Sequence, residues 1–310
     1  MTSSTGVVIA IPTFRRPRGL ADLLEAIAAI PAGVRVVVAD NDAERKEGTA
    51  VVGDLVARSY PHPLEAIEVA DRGIAQVRNA LVSHIIAAGE AQFIVMIDDD
   101  ERPRAGWLQA LLGAQAQTGA QVVGGPVARR FEVPVPTHLE RANNHNPGQY
   151  PTGPVAFVDA TSNVLFDASV FREIEGPWFD PFFALTGGED KDFMTALRLR
   201  GKTFAWCDEA QVEETFPASR CSVQWAVRRA FSTGNSDMLV NLRRRPPEFG
   251  FAGESAKIAG ALMVAAVNLT LLAFDPARRF YGMRLGARVA GKLVALFGYR
   301  HLEYRTVHGR

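Results

Sequence analysis

Phe93-Ile94-Val95-Met96-Ile97-Asp98-Asp99-Asp100 joins five apolar residues directly to three acids. An apolar run of that length reads as a strand buried on both faces. Three adjacent carboxylates at its end repel one another unless a cation or other partners relieve them. Hard oxygen donors suit Mg²⁺ or Mn²⁺, ions commonly held by one or two carboxylates and a ligand's phosphates. Alternation along the strand places Asp98 and Asp100 on one side and Asp99 on the other. The same acids have a second use as a helix N-cap, since Asp100-Glu101-Arg102-Pro103 leads into a helix predicted over 104–117. Capping needs one aspartate, not three.

Outward from this junction, the first half of the chain alternates short β-branched runs with amphipathic stretches. That pattern predicts repeated βαβ units and an α/β fold with a mainly parallel sheet flanked by helices. Strands fall at 7–11, 34–39 and 64–69. Pro17 opens a helix carrying Leu20, Leu23, Leu24 and Ile27, and further helices fall near 49–59 and 74–88. Thr13, Asp40, Asp71 and Asp98 then lie at the carboxyl ends of successive parallel strands, the edge where open α/β sheets bind ligands. Further on come a strand at 121–123, a Pro/Asn/Gly-rich surface loop over 134–154, a strand over 156–166, a helix over 189–199 and a strand at 203–206.

A second group of acids stands in Gly187-Gly188-Glu189-Asp190-Lys191-Asp192. Two glycines allow a ligand to approach the backbone, and the helix they open has three acids in its first turn. N-capping accounts for one or two of these. If an alcohol attacks a sugar, some carboxylate must take the hydroxyl proton. Asp190 is the candidate, with Glu189 positioning the acceptor.

In order, Ile11-Pro12-Thr13-Phe14-Arg15-Arg16, Asp40-Asn41, Arg72-Gly73-Ile74 with Arg78-Asn79, Asp98-Asp99-Asp100 and Gly187-Gly188-Glu189-Asp190 resemble glycosyltransferase family 2 over roughly residues 6–217. The resemblance implies a GT-A fold, an inverting mechanism and a nucleoside-diphosphate sugar donor, commonly UDP-linked. It also implies roles. Pro12, Thr13, Phe14, Arg15 and Asp40, with Asn41 and Gly73 beside them, meet the nucleotide. Arg78 and Asp99 lie near it, Asp98 contacts ribose and metal, Asp100 holds the metal on the diphosphate, and Asp190 is the base. Arg228-Arg229-Ala230-Phe231 and Gly234-Asn235-Ser236 extend the likeness to bacterial exopolysaccharide transferases of the succinoglycan type. Those act at the cytoplasmic membrane on saccharide or polyprenyl-diphosphate-linked acceptors. Many relatives place a histidine on the metal after the last strand, where this chain has Glu213-Glu214. Either Glu214 substitutes or the site has one protein ligand fewer. Processive synthases carry Gln-x-x-Arg-Trp, which Gln224-Trp225 does not fit, so addition of a single sugar is expected. Arginines of the 228–229 or 243–245 runs are candidates to assist the leaving diphosphate.

The chain has 310 residues and no net charge, but residues 220–310 hold 15 Lys/Arg against 5 Asp/Glu. Residues 1–219 are therefore read as the nucleotide-sugar-binding and catalytic domain, and 220–310 as a basic, apolar, helical C-terminal region. The 17 uncharged residues 258–274 sit at the lower limit for a spanning helix. An interfacial or buried hairpin is expected instead, with peripheral membrane contact through 255–300. The N-terminus lacks the pattern of a signal peptide, which leads to a cytoplasmic protein at the inner face of the inner membrane. Cys207 and Cys221 suit neither a disulfide framework nor a zinc site. The basic tail carries apolar runs instead of stacked aromatics, so no nucleic acid is expected. Two other activities compete. A sugar nucleotidyltransferase needs a glycine-rich phosphate loop after the first strand, which Pro12-Thr13-Phe14 does not supply. A non-catalytic scaffold would have no need of all the acids.

Overall fold

The computed structural model describes residues 6–31, 33–143 and 150–303. Its strands are β1 (Val7–Thr13), β2 (Val34–Asp40), β3 (Leu64–Glu68), β4 (Phe93–Met96), β5 (Glu101–Pro103), β6 (Val122–Gly124), β7 (Val127–Phe131), β8 (Gly153–Val155), β9 (Val164–Asp167), β10 (Phe204–Trp206) and β11 (Val212–Phe216). The helices are α1 (Pro17–Ala28), α2 (Glu47–Ala57), α3 (Ile74–Ala88), α4 (Trp107–Thr118), α5 (Thr137–Asn143), α6 (Ser169–Arg172), α7 (Glu189–Leu199), α8 (Val223–Arg244), α9 (Phe251–Thr270) and α10 (Pro276–Leu296).

Eight strands form one sheet in the order β3-β2-β1-β4-β9-β6-β10-β8. β3, β2, β1 and β4 are mutually parallel, as are β6 and β10. β9 runs antiparallel to both β4 and β6, and β8 antiparallel to β10. Alternation along each strand feeds two cores. Val8, Ala10, Ile94 and Met96 face a core shared with α3 and α7, while Val7, Ile9, Ile11, Val95 and Ile97 face one shared with α1 and α4. A strand buried on both sides has no place for polar residues until it ends, which is why the polar positions collect at one edge. Leu20, Leu23, Leu24 and Ile27 of α1 are fully buried, each contributing about 1.5–3 kcal/mol of transfer free energy.

Three expectations need correction. Of the strand expected over 156–166 only 164–166 is strand, the start of β9, and 156–163 is a loop in which Asn163 adopts φ +53°. Asn163 is fully buried there, accepting from the Trp107 indole at 2.6 Å and donating to the carbonyls of Pro126 and Ala210, so the break is a hydrogen-bonded corner. The loop over 134–154 contains α5 and β8, and its residues 144–149 lie outside the described residues. Asp100-Glu101-Arg102-Pro103 does not cap α4, which starts at Trp107 behind Gly106. Glu101–Pro103 instead joins a second, three-stranded sheet, β5-β11-β7, whose register sets Glu214 opposite Glu101.

α8, α9 and α10 follow as the C-terminal sequence predicts. α8 and α10 cross at two glycines. A Cβ on Gly234 would stand 2.0 Å from the Arg288 carbonyl oxygen, and one on Gly291 2.0 Å from that of Phe231, so neither position admits a side chain. Ion pairs tie this layer to the sheet domain. Arg244 grips the buried Asp192 with two bonds, and Asp237 takes Lys191 of α7 and Arg288 of α10, each at 2.5 Å. α8 packs against α7, α10 against α8, and α9 against α10. No helix among the described residues is long and apolar enough to cross a membrane.

Candidate active site

The strand edge opposite the chain's entry carries the first half of the site. Pro12 lies within β1 in register with Ala39 and is buried. Thr13 ends the strand, and its hydroxyl donates to Asp99 at 2.8 Å. The chain then turns through Arg15 at φ +55°. The Arg15 guanidinium donates twice to Asp42 and stacks 4.9 Å from the Phe14 ring, while that of Arg72 lies 5.0 Å from the same ring. Phe14 is thus a half-buried aromatic plate beside two guanidiniums. Asp40 is almost fully enclosed. One oxygen accepts from the Asp42 amide and the other from that of Thr49, so it holds the β2–α2 loop. Asn41 bonds the carbonyls of Val69 and Asp71 and accepts from the Gly73 amide, pinning the start of α3 to the end of β2.

Strand β4 ends at Met96, so the three aspartates lie past the strand, Asp99 and Asp100 in a turn, and the expected alternation does not apply. Arg16 instead joins Asp99 at 3.0 Å and Asp100 at 2.6 Å with one guanidinium nitrogen. Asp98 is the most open of the three, its side chain 35% exposed against 6% for Asp99 and 19% for Asp100. Burial raises the Asp98 pKa, with Asp100 adding to the effect and Arg78 opposing it. Burial pushes Asp99 up to about 7 against the pull of Arg16, with Asp100 adding to the rise. Glu101, buried among Asp98, Asp100 and Glu214, is held well above the ordinary range, mainly by burial. Glu214 accepts from Arg129 at 2.8 Å and from Arg220 at 3.5 Å. Both of its oxygens thus meet a guanidinium, as one oxygen of Asp100 does. No group of three acidic, histidine or cysteine side chains is placed to hold a metal among the described residues. The oxygens of Asp98 and Asp100 that Arg78 and Arg16 leave open fit a hard divalent ion completed by phosphate oxygens of a ligand.

The second half of the site is the start of α7. Gly188 caps it at φ +96°, and a Cβ there would stand 2.8 Å from the Ser236 Cβ of α8. The glycine is required by packing against α8, a reason the sequence did not disclose. Glu189 is buried, pairs with Arg78 in a short contact, and has its second oxygen without a partner. Burial and Asp190 raise its pKa against Arg78. Asp190 is half-buried and accepts from the Lys191 amide at 2.7 Å. Burial raises its pKa, Arg78 and Arg229 oppose the rise, and Asp159 from the loop before β9 adds to it.

One side chain joins the two halves. Arg78, 5% exposed in the first half of α3, donates to Asp98 at 3.4 Å as well as to Glu189. Sequence reading assigned Arg78 to the nucleotide side alone. It gave no site role to Arg16, Glu101, Arg129 or Arg220. Arg16 stood in the quoted Phe14-Arg15-Arg16 run, but the 83-residue separation from Asp99 hides the pairing. Of the arginines expected to assist a leaving group, Arg229 pairs with Glu303, Arg243 with Asp180 and Arg244 with Asp192. Cys207 and Cys221 are both free thiols.

Residues 8–175 match the family model of glycosyl transferase family 2, and residues 93–287 that of glycosyl transferase family group 2. The chain is 30% identical over 306 residues to the succinoglycan biosynthesis protein ExoM of Rhizobium meliloti (strain 1021), covering 95% of this chain and 94% of that protein. It is 26% identical over 249 residues to the pre-mycofactocin glycosyltransferase of Mycobacterium tuberculosis (strain CDC 1551 / Oshkosh), covering 77% of this chain and 48% of that protein. Among solved structures, the mannosyltransferase PcManGT from Pyrobaculum calidifontis, in complex with GDP-Man and Mn²⁺, has a TM-score of 0.63 at 17% identity over 94% of this chain and 87% of that one. S. aureus TarS 1–349 in complex with UDP-GlcNAc has a TM-score of 0.51 at 12% identity over 94% and 92%. At these identities the two structural likenesses concern the fold.

Proposed function

The chain belongs to glycosyl transferase family 2, and we propose on that premise that it is an inverting, non-processive enzyme of surface polysaccharide synthesis. It moves one sugar from a nucleoside-diphosphate donor, UDP-linked in the first instance, to a saccharide or polyprenyl-diphosphate-linked acceptor. The observation that carries the reading is the Arg78 guanidinium, which touches both Asp98 and Glu189. It brings the strand-end carboxylates and the start of α7 within one side chain of each other. A donor diphosphate at Asp98–Asp100 then presents its sugar to Asp190. The near full-length likeness to a protein named for succinoglycan biosynthesis supports the polysaccharide setting.

Asp190 accepts the proton of the acceptor hydroxyl as that oxygen attacks the anomeric carbon from the side opposite the diphosphate. The carbon–oxygen bond to the diphosphate breaks, and the configuration inverts. Glu189, fixed by Arg78, lines the acceptor side. Asp98 and Asp100 would hold a Mn²⁺ or Mg²⁺ ion, which when bound would neutralise charge growing on the leaving diphosphate. Phe14, between Arg15 and Arg72, offers its ring to the nucleobase, and Thr13 keeps Asp99 in place behind the phosphates.

Calorimetry of UDP with and without Mn²⁺ tests the donor reading. We expect metal-dependent binding by the native protein and its loss in Asp100→Ala. UDP binding that ignores both the metal and the substitution contradicts the metal assignment. Absence of UDP binding moves the test to GDP and dTDP, and failure with all three leaves only a non-catalytic reading.

Peripheral membrane contact belongs to the same reading. On and beyond α9, Leu262, Met263, Leu271 and Phe274 are exposed, Phe274 by 84%, and no acid stands between Glu254 and Asp275. Lys257, Arg278 and Arg279 flank this apolar surface and are exposed. Apolar area bordered by cations suits an anionic bilayer at the cytoplasmic face of the inner membrane. Sedimentation with phosphatidylglycerol vesicles should pellet the native chain. A Leu271→Glu/Phe274→Glu variant should bind about tenfold less or weaker, since each side chain would bring about 1.5–3 kcal/mol. Equal pelleting of the two proteins rejects this surface.

A further inference from the structure

We infer that Arg220 is a diphosphate-binding residue, the guanidinium that meets the leaving group in place of the arginines of 228–229 and 243–245. The inference rests on the donor reading above and adds a residue to it. Arg220 ends the short 3-10 turn Ala218–Arg220 that follows β11 directly, so its position is fixed by the small sheet that sets Glu214 opposite Glu101. Its guanidinium lies 6.0 Å from the Trp225 ring, and Trp225 in turn packs edge-on against Phe216 at 5.3 Å. The side chain is held from below and 19% exposed.

What Arg220 lacks is an anion of its own. Its contact with Glu214 is long, 3.5 Å, and Glu214 already takes Arg129 at 2.8 Å. Its Nε is buried without a hydrogen-bond partner among the described residues. Burial and the charges of Arg16 and Arg229 work against its cationic form, while Asp100 and Glu214 favour it. The backbone also locates it. Glu214, which Arg220 touches, stands opposite Glu101, the residue after Asp100, and the next amide, that of Thr215, donates to the Asp100 carbonyl at 3.1 Å. Arg220 therefore stands beside the turn of the aspartates read as holding the donor diphosphate.

A partly dehydrated guanidinium with a buried, unpartnered Nε and a carboxylate shared at 3.5 Å is stabilised by a multiply charged anion that can accept from it. A diphosphate is such an anion, and the planar fork of an arginine matches its oxygens where a lysine offers a point charge. A glutamate alone does not use that fork.

The test compares affinities for a nucleoside and its diphosphate in the full chain with Mn²⁺, using whichever of UDP, GDP and dTDP the native protein binds. In Arg220→Ala the diphosphate should bind about 10–100-fold less tightly, the range for a lost charged hydrogen bond, while the free nucleoside binds as before. Arg220→Lys should recover part of the loss. Unchanged diphosphate affinity in Arg220→Ala overturns the assignment, and so does an equal loss for nucleoside and diphosphate, which would make Arg220 a structural prop. If the native protein binds none of the three diphosphates, the donor reading falls and this inference with it. Binding by the native protein with no effect of the variant removes Arg220 alone.

Discussion

Asp190→Asn is expected to lower turnover by about 10²–10⁴-fold, the usual contribution of a positioned base. Donor affinity should stay within about twofold. The substitution keeps shape and an oxygen able to accept from the Lys191 amide, so it removes charge and basicity and little else. Steady-state kinetics with separate donor titration reads both quantities. Turnover close to native would move the base elsewhere, with Glu189 the nearest alternative. Glu189 is poorly suited, because Arg78 occupies one of its oxygens and it is buried to 1% exposure.

The pH profile is a second reading of the same residue. A base must be ionised to work, and Asp190 has its pKa raised by burial, against Arg78 and Arg229 and with Asp159 adding to the rise. The acid limb of turnover should therefore lie above about 3.9, the value for an exposed aspartate. Activity should fall as the pH drops through that raised value, and the limb should be absent from the residual activity of Asp190→Asn.

Several parts of the fold could be read directly from the chain. Residues 74–88 and 189–199 form helices over those same spans, because apolar spacing and glycines at both flanks mark them locally. The strand edge carrying Thr13, Asp40 and Asp98 was equally legible, since a doubly buried strand admits acids only past its end. The small sheet was not. Glu101-Arg102-Pro103 has no apolar run, and only backbone pairing with β11, more than 100 residues later, makes it a strand. The acids of the site were visible as residue types, but their states were not. Whether Asp100 faces a metal or a guanidinium depends on Arg16, and whether Glu214 is open depends on Arg129 and Arg220. Such contacts are made by folding, and local pattern carries no trace of them. The paired glycines show the same limit, because the demand on Gly188 comes from Ser236 of α8.

Arg78→Met should show how much of the fold's stability the junction of the two half-sites holds. Methionine keeps most of the unbranched stem and removes the charge. Glu189 and Asp98 then lose their shared cation, and Glu189 is left buried with neither oxygen paired to it. Breaking a buried pair from one side typically costs about 3–5 kcal/mol. That is a large part of the usual ~5–15 kcal/mol, yet it leaves a folded protein to measure. The sign of the pH dependence follows from the raised pKa of Glu189. A carboxyl whose folded pKa exceeds its unfolded value, about 4.3, binds more protons folded than unfolded between the two. Stability from this group is complete below the unfolded value and is lost as pH rises through the folded one. Removing Arg78 takes away the charge that opposes the rise, so the variant's folded pKa moves further up and its losses grow. Urea unfolding of both proteins at pH 5.5 and pH 8 should give a larger deficit at pH 8. An equal deficit at the two pH values would mean that the cost is packing alone, and that the guanidinium is not what allows two carboxylates to share this junction.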